Sequence, residues 1–235
     1  MKLFHKRLKH GFTLIELLAV IAVLGILATI IIPTVGNVQE KARRRAAASN
    51  LRQIAIAYST YANTSGRPRS IAENNIHNWC RILAQHAQLN EPQIYSLNED
   101  PLVEAYNREL PKVIATPPTS GSGQWNLHPD FRNAPISFAV ANKISSRAPP
   151  STTPIAWTRG LTTSGTWSAP NAASPGVYGS EGGHIVFLDG HVVFYENLTN
   201  NGGQLIHYLT KQPTANIQEA LSPGAEAFDS TGKVF

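Results

Sequence analysis

The chain has 235 residues and a formal net charge of +5, with 15% charged and 42% hydrophobic residues. This length can hold one domain plus a membrane segment, but not two full domains. Four of the positive charges precede Gly11, so the basic balance belongs largely to the N-terminus and does not indicate nucleic-acid binding. The single cysteine, Cys80, excludes an intramolecular disulfide bond.

The first predicted element is an apolar helix over residues 12–32. Its 21 residues are enough to cross a hydrocarbon core about 30 Å thick. An ordinary secretory signal has a shorter apolar stretch of about 7–15 residues before a small-residue cleavage site. Here no such site follows until "AAAS" at residues 46–49. A plain uncleaved anchor explains the length but not Glu16, because a central acidic residue costs about 2.5–3.5 kcal/mol on insertion scales.

The stretch "GFTLIE" at residues 11–16 follows a short basic leader. It resembles the N-terminus of type IV pilins and type II secretion pseudopilins, and the resemblance covers roughly residues 1–60. The resemblance implies that a prepilin peptidase cuts after Gly11 and that the new N-terminal residue, Phe12, is methylated. Pro33 also lies where many of these proteins have a helix-kinking proline.

The same resemblance suggests an assembly role for Glu16. In a filament, its carboxylate would meet the Phe12 amine of a neighbouring subunit and fix the axial register between helices. A buried carboxylate is tolerable when a positive group neutralises it. Alternatively, Glu16 extends toward the lipid headgroups, because it lies about one turn from the start of the apolar run. Phe12, Glu16 and Pro33 are the predicted assembly residues.

Cations flank the apolar run on both sides, because "KARRR" at residues 41–45 balances the basic leader. The positive-inside rule therefore does not decide the orientation. The resemblance decides it, since the peptidase of this family works from the cytoplasmic face. It implies a single pass through the cytoplasmic membrane, with the N-terminus inside and the head periplasmic or otherwise extracytoplasmic. "KARRR" could contact anionic headgroups or form a solvated helix face.

After Pro33, apolar residues at helical spacing, among them Leu51, Ile54 and Tyr58, predict a continuous helix over residues 14–62 that is bent near Pro33. The predicted fold is α+β: a pilin-like lollipop whose long N-terminal helix, membrane-spanning and then amphipathic, packs on a small antiparallel sheet with long loops. Its divisions are a leader (1–11), a transmembrane and assembly helix (12–35), an amphipathic stem helix (36–62) and a globular head (63–235).

Within the head, "NWCRILAQHAQL" predicts a helix, and Asp100 followed by Pro101 predicts the start of another. "PISFAV" and "PIAWTRG" are strand candidates. "HIVFLDGHVVFYENL" predicts a hairpin with a two-residue turn at Asp189 and Gly190. This register pairs Phe187 with Val192 and places an apolar face toward the stem helix.

That hairpin is similar to the C-terminal element of prepilin-like proteins with a processing-associated domain. In that group a histidine usually precedes the aspartate by ten residues, where this chain has Gly179. His184, Asp189 and His191 could suggest a metal site. The predicted register separates the two histidines by about 13 Å, too far for one zinc ion, so no metal site is predicted.

Other chemistry has weaker support in the sequence. Major pseudopilins commonly bind calcium through acidic residues of C-terminal loops, and here Asp229 or Glu226 could serve. No other cofactor is predicted. "GSG" at 121–123 and "GSEG" at 179–182 lack the strand–helix context of a nucleophile elbow, so no catalytic residue and no enzyme activity are predicted.

The sequence therefore predicts a pseudopilin-like structural subunit of a type II secretion pseudopilus or a related type IV filament. Its expected partners are a prepilin peptidase, other pilin-like subunits, an inner-membrane assembly platform and membrane lipid, but no nucleic acid. The alternative is a membrane-anchored surface module that binds a glycan or a protein through loop aromatics. Four loop aromatics distinguish the two alternatives: Trp125, Trp157, Trp167 and Tyr178. Exposure of these side chains would favour the binding module, and their burial would favour a structural subunit.

Overall fold

The computed structural model describes residues 12–64 and 70–235, without the side chains of residues 30–37 and 201. The chain divides into two compact units, residues 1–44 and 45–235. The boundary between them lies inside the region predicted as the stem helix.

The longest element is helix α1, Leu14–Asn63. Its bounds confirm the prediction of one long N-terminal helix. In the first unit, the side chains of residues 12–29 are exposed, as shown by Phe12 at 85% and Leu14 at 81%. Among the residues that the structure describes, no helix combines the length and the hydropathy that a membrane span requires.

In the second unit, the C-terminal part of α1 buries the predicted apolar stripe, including Leu51, Ile54 and Tyr58. Helix α2, Ile76–Ala87, begins after Asn75, whose side chain accepts a hydrogen bond from the Asn78 amide. The two helices meet where Tyr58 stacks on Trp79, with ring centroids 6.0 Å apart.

The described part of the second unit also contains two short α-helices, four 3-10 helices and ten strands. The α-helices are α3, Pro101–Glu104, and α4, Ile217–Ala220. The strands are β1 Ala115–Thr116, β2 Asn126–Leu127, β3 Phe138–Asn142, β4 Pro154–Thr158, β5 Gly183–Phe187, β6 Val192–Tyr195, β7 Leu205–Ile206, β8 Pro213–Thr214, β9 Glu226–Asp229 and β10 Gly232–Lys233.

The main sheet is antiparallel, with six strands in the order β10-β9-β3-β4-β5-β6. Two separate two-stranded sheets are formed by β1 with β2 and by β7 with β8. Every residue of β3, β4 and β5 is buried, which is why these strands read as continuous rather than alternating apolar runs. The α+β prediction, with an antiparallel sheet and long loops, is confirmed.

The predicted register of the β5–β6 hairpin is wrong by one residue. Val186 pairs with Val192, and the Phe187 amide donates to the His191 carbonyl oxygen at 3.1 Å. The loop therefore has three residues and ends at Gly190, whose φ of +87° suits the left-handed position that closes such a turn. As a result, His184 and His191 lie on opposite faces of the hairpin.

A buried ion pair connects distant parts of the sequence. Arg159, directly after β4, and Asp100, the N-cap residue of α3, are both fully buried and pair through two hydrogen bonds. Nη1 of Arg159 also donates to the Ile136 carbonyl at 2.8 Å, and Nε donates to the Pro175 carbonyl at 3.1 Å. The guanidinium thus holds three separate segments around the end of β4.

Candidate functional site

The start of α1 brings Thr13 and Glu16 together. The amide of Thr13 donates to Glu16 Oε2 at 2.8 Å, and its hydroxyl donates to the same oxygen at 2.7 Å. In return, the Glu16 amide donates to Thr13 Oγ1 at 3.3 Å. This reciprocal pattern is a capping box, which satisfies amides that the first helical turn leaves without partners.

The capping box leaves part of the Glu16 carboxylate available. Oε1 accepts no hydrogen bond from the residues that the structure describes. The carboxylate also lies at the positive end of the helix dipole, which favours a negative charge there. Glu16 can therefore cap its own helix through one oxygen and accept a hydrogen bond from another molecule through the other.

The other predicted processing and assembly residues are only partly visible. Phe12, the predicted new N-terminus, is 85% exposed and directly precedes Thr13. Gly11, the predicted cleavage position, lies outside the described residues. Pro33 lies within α1, among the residues whose side chains are not described.

Thr13 is the residue of this segment that the sequence analysis missed. The signal was present, because a Thr followed three residues later by a Glu before an apolar run is the sequence pattern of a capping box. The sequence interpretation assigned Glu16 either to a charge pair with an amine or to the lipid headgroups, and it did not include the local pairing with Thr13.

The exposed apolar side chains that follow form an extended surface around the helix. Ile15 is 74% exposed, Ile21 60% and Ile26 64%. Monomeric soluble proteins rarely expose contiguous apolar patches of more than a few hundred Å². Such a surface is typical of a segment that is covered by lipid or by other subunits.

The loop aromatics do not form an exposed cluster. Trp157 is fully buried and Trp167 is 4% exposed, whereas Trp125 and Tyr178 are half-buried. The ring of Trp157 stacks on Phe235 with centroids 6.4 Å apart. Their burial indicates that the two tryptophans contribute to packing, which favours a structural head over an aromatic binding surface.

The acidic residues considered for calcium are engaged by the protein itself. Lys233 and Lys143 each donate to one oxygen of Glu226 at 2.8 Å, and these hydrogen bonds lower the pKa of Glu226 to about 2. Asp229 accepts from the Thr231 amide at 2.7 Å and from the Ser174 hydroxyl at 2.8 Å. Calcium binding at these residues stays a prediction.

The hairpin turn places Asp189 beside His191. The Asp189 carboxylate accepts from the His191 amide at 3.1 Å and lies 2.5 Å from His191 Nδ1. Partial burial raises the pKa of Asp189, but the bonds from His191 together lower it below its usual value. His184, on the other face, packs edge-on to Phe194. Among the described residues, no group of three or more His, Cys, Asp or Glu side chains could hold a metal ion.

Comparisons with known proteins identify the N-terminal segment. The family model of the prokaryotic N-terminal methylation motif matches residues 6–32. The chain is 37% identical over 62 residues to type II secretion system core protein G of Aeromonas hydrophila, which covers 26% of this chain and 43% of that protein. It is 36% identical over 59 residues to core protein G of Pectobacterium carotovorum subsp. carotovorum, which covers 25% of this chain and 38% of that protein.

The chain thus spans less than half the length of these curated relatives. No solved structure matches the chain. The prepilin-type N-terminus and its similarity to a type II secretion pseudopilin are confirmed. The methylation motif covers the segment that contains Thr13 and Glu16. The two relatives are named as core proteins of a type II secretion system.

Proposed function

We propose that this protein is a pseudopilin-like structural subunit of a type II secretion pseudopilus or of a related type IV filament. The observation that carries the proposal is the coincidence of three features at the start of α1. The methylation motif, the exposed apolar surface and the Glu16 carboxylate, which caps α1 through one oxygen only, all fall within residues 6–32. A structural role agrees with the relatives, which are named as core proteins of a secretion system.

Processing would prepare the chain for assembly. Cleavage after Gly11 by a prepilin peptidase would create an ammonium group on Phe12, which the peptidase would then methylate. This cation would donate to Glu16 Oε1 of a neighbouring subunit, while Oε2 stays in the capping box. Because the apolar surroundings of a filament core weaken screening, this pair would fix the relative height of two helices.

The remaining partners follow from the same proposal. Before assembly, residues 12–35 would anchor the chain in the cytoplasmic membrane, with the leader inside and the head outside. An inner-membrane platform would take up the processed subunit, and other pilin-like subunits would replace the lipid around α1. The alternative, a surface binding module on a pilin-like anchor, has less support because Trp157 and Trp167 are buried.

The test begins with the intact mass of the protein isolated from its native membrane. We expect a loss of residues 1–11 and a gain of one methyl group. A full-length mass would show that the peptidase does not cleave at this motif and would favour a plain uncleaved anchor instead.

Filament formation by two variants then tests the role of the charge. Glu16→Gln keeps a side chain that can complete the capping box but removes the charge, so we expect correct processing without assembly. Glu109→Gln, which removes an exposed acidic residue of the head, is the matched control and should assemble. Normal assembly of Glu16→Gln would contradict the proposed pairing.

A further inference from the structure

Helix α1 becomes strongly basic after its apolar start. Lys41, Arg43 and Arg44 lie in the first unit, and we call these three residues the basic collar. The sequence contains no Asp or Glu between residues 41 and 72. The nearest acidic residue is Glu40, which lies 2.5 Å from Arg44.

Two members of the collar have no counter-charge. Lys41 and Arg43 are exposed and form no ion pair with any residue described in the structure. Arg44 forms an ion pair with Glu40, and the Arg44 side chain is 29% exposed. The collar therefore presents at least two cations that no described residue neutralises and that an anionic partner could bind.

The arrangement of the collar indicates the shape of that partner. At 3.6 residues per turn, Arg43 and Arg44 are rotated by about 200° and about 300° from Lys41 around the helix axis. The three Cα atoms differ in height by only about 4.5 Å. A protein docking on one side of α1 could not reach all three cations, whereas a thin anionic layer crossed by the helix could.

The height of the collar fits the edge of a bilayer. A core about 30 Å thick takes about 20 helical residues, so a span starting near Leu14 ends about 10 Å before Lys41. Helical side chains lean toward the N-terminus, and long cationic chains extend to the interface. The headgroup layer adds about 5–7 Å on each side, so the charged groups of the collar can reach it.

We propose that the basic collar binds the headgroups of anionic phospholipids on the side of the membrane opposite the leader. This inference rests on the proposed membrane anchoring of residues 12–35. The lipid layer would fix how far α1 sinks into the bilayer and hold Glu16 at a constant depth before assembly. The charges of the collar would then be released from lipid when the subunit enters a filament.

The experiment uses the full chain reconstituted into vesicles of phosphatidylcholine containing a minor fraction of phosphatidylglycerol. Photoactivatable headgroup probes of both lipids report which one contacts residues 38–46, and carbonate extraction reports anchoring separately. We expect preferential crosslinking of phosphatidylglycerol. Lys41→Gln/Arg43→Gln should lower that preference about 30-fold, because each cation near an anionic surface contributes about a fivefold preference.

Lys112→Gln/Arg147→Gln removes the same two charge types from exposed positions elsewhere and should leave the preference unchanged. Glu40→Gln should increase it, because it removes the negative charge nearest to the collar. Resistance to carbonate extraction without a phosphatidylglycerol preference would overturn the collar proposal and leave the anchor intact. Equal losses in both double variants would also overturn it, since net charge alone would then explain binding. Complete extraction by carbonate would instead contradict the proposed function.

Discussion

The guanidinium of Arg159 and the carboxylate of Asp100 face each other in a bidentate, fully buried ion pair. The pair connects the end of β4 to the N-cap of α3, which precedes it by 59 residues. A buried ion pair is not in itself evidence of stability, because desolvation offsets much of the attraction. Removing only one member of the pair, however, leaves the other charge buried without its partner.

We expect Asp100→Ala or Arg159→Met to lower the free energy of unfolding by about 3–5 kcal/mol, since either change leaves a buried charge without its counter-charge. The double variant should cost clearly less than the sum of the two. Urea unfolding of all four forms gives the coupling energy directly. Additive losses would show that the two side chains act independently.

Glu226 should make the stability of the folded head depend on pH. Hydrogen bonds from Lys143 and Lys233 lower its pKa from 4.5 to about 2. A carboxylate with a lowered pKa stabilises the fold above its unfolded-state pKa, and that stabilisation is lost as the pH falls through the folded-state value. The wild-type melting temperature should therefore exceed that of Glu226→Gln above pH 4.5 and converge with it near pH 2. A constant difference across this range would contradict the assignment.

Gly160 should tolerate no side chain. Its φ is +96°, and an added Cβ would lie 2.4 Å from the Gly176 Cα. We expect Gly160→Ala to destabilise the head by about 3 kcal/mol or more, from both the left-handed backbone and the clash. Gly121→Ala is the matched control, because φ is +81° there and no atom lies within 4 Å. It should cost about 1–2 kcal/mol. Equal losses by chemical unfolding would show that the approach to Gly176 relaxes freely.

Thr13 should hold the first turn of α1. Thr13→Val removes the hydroxyl that donates to Glu16 and accepts from its amide, whereas Thr13→Ser keeps it. Loss of such a cap costs about 1 kcal/mol, so amide hydrogen exchange near residues 14–17 should become about fivefold faster in Thr13→Val. Thr13→Ser and Glu16→Gln should remain close to wild type. Unchanged exchange in Thr13→Val would show that the capping box does not stabilise this turn.

Local signals predicted much of this fold. The spacing of Leu51, Ile54 and Tyr58 predicted the buried stripe of α1, and Asp100 before Pro101 predicted the start of α3, because both depend on residues near in sequence. The "GFTLIE" stretch likewise predicted a prepilin-type N-terminus, and the match of the methylation motif to residues 6–32 confirms it. These features need no knowledge of where distant segments pack.

Features that depend on distant or subtle geometry could not be predicted. Asp100 was expected as a cap, but its pairing with Arg159 depends on how α3 and β4 pack together. The β5–β6 register differs by one residue because Gly190 closes a three-residue loop, and the apolar pattern suited both registers. The capping role of Glu16 is different, because it is a local feature that the spacing of Thr13 and Glu16 predicts.

The position of β3 has a consequence for how the head matures. This strand lies between β4 and β9, and Val140 pairs with Phe228. The centre of the sheet therefore lacks one neighbour until the ribosome has made residue 229 and, if the head is exported, until the translocation channel has released it. Pairing over such a sequence separation is slow compared with helix formation. Until then the nascent head has an open apolar sheet edge, and its exposure to proteases and to aggregation is greatest during this interval.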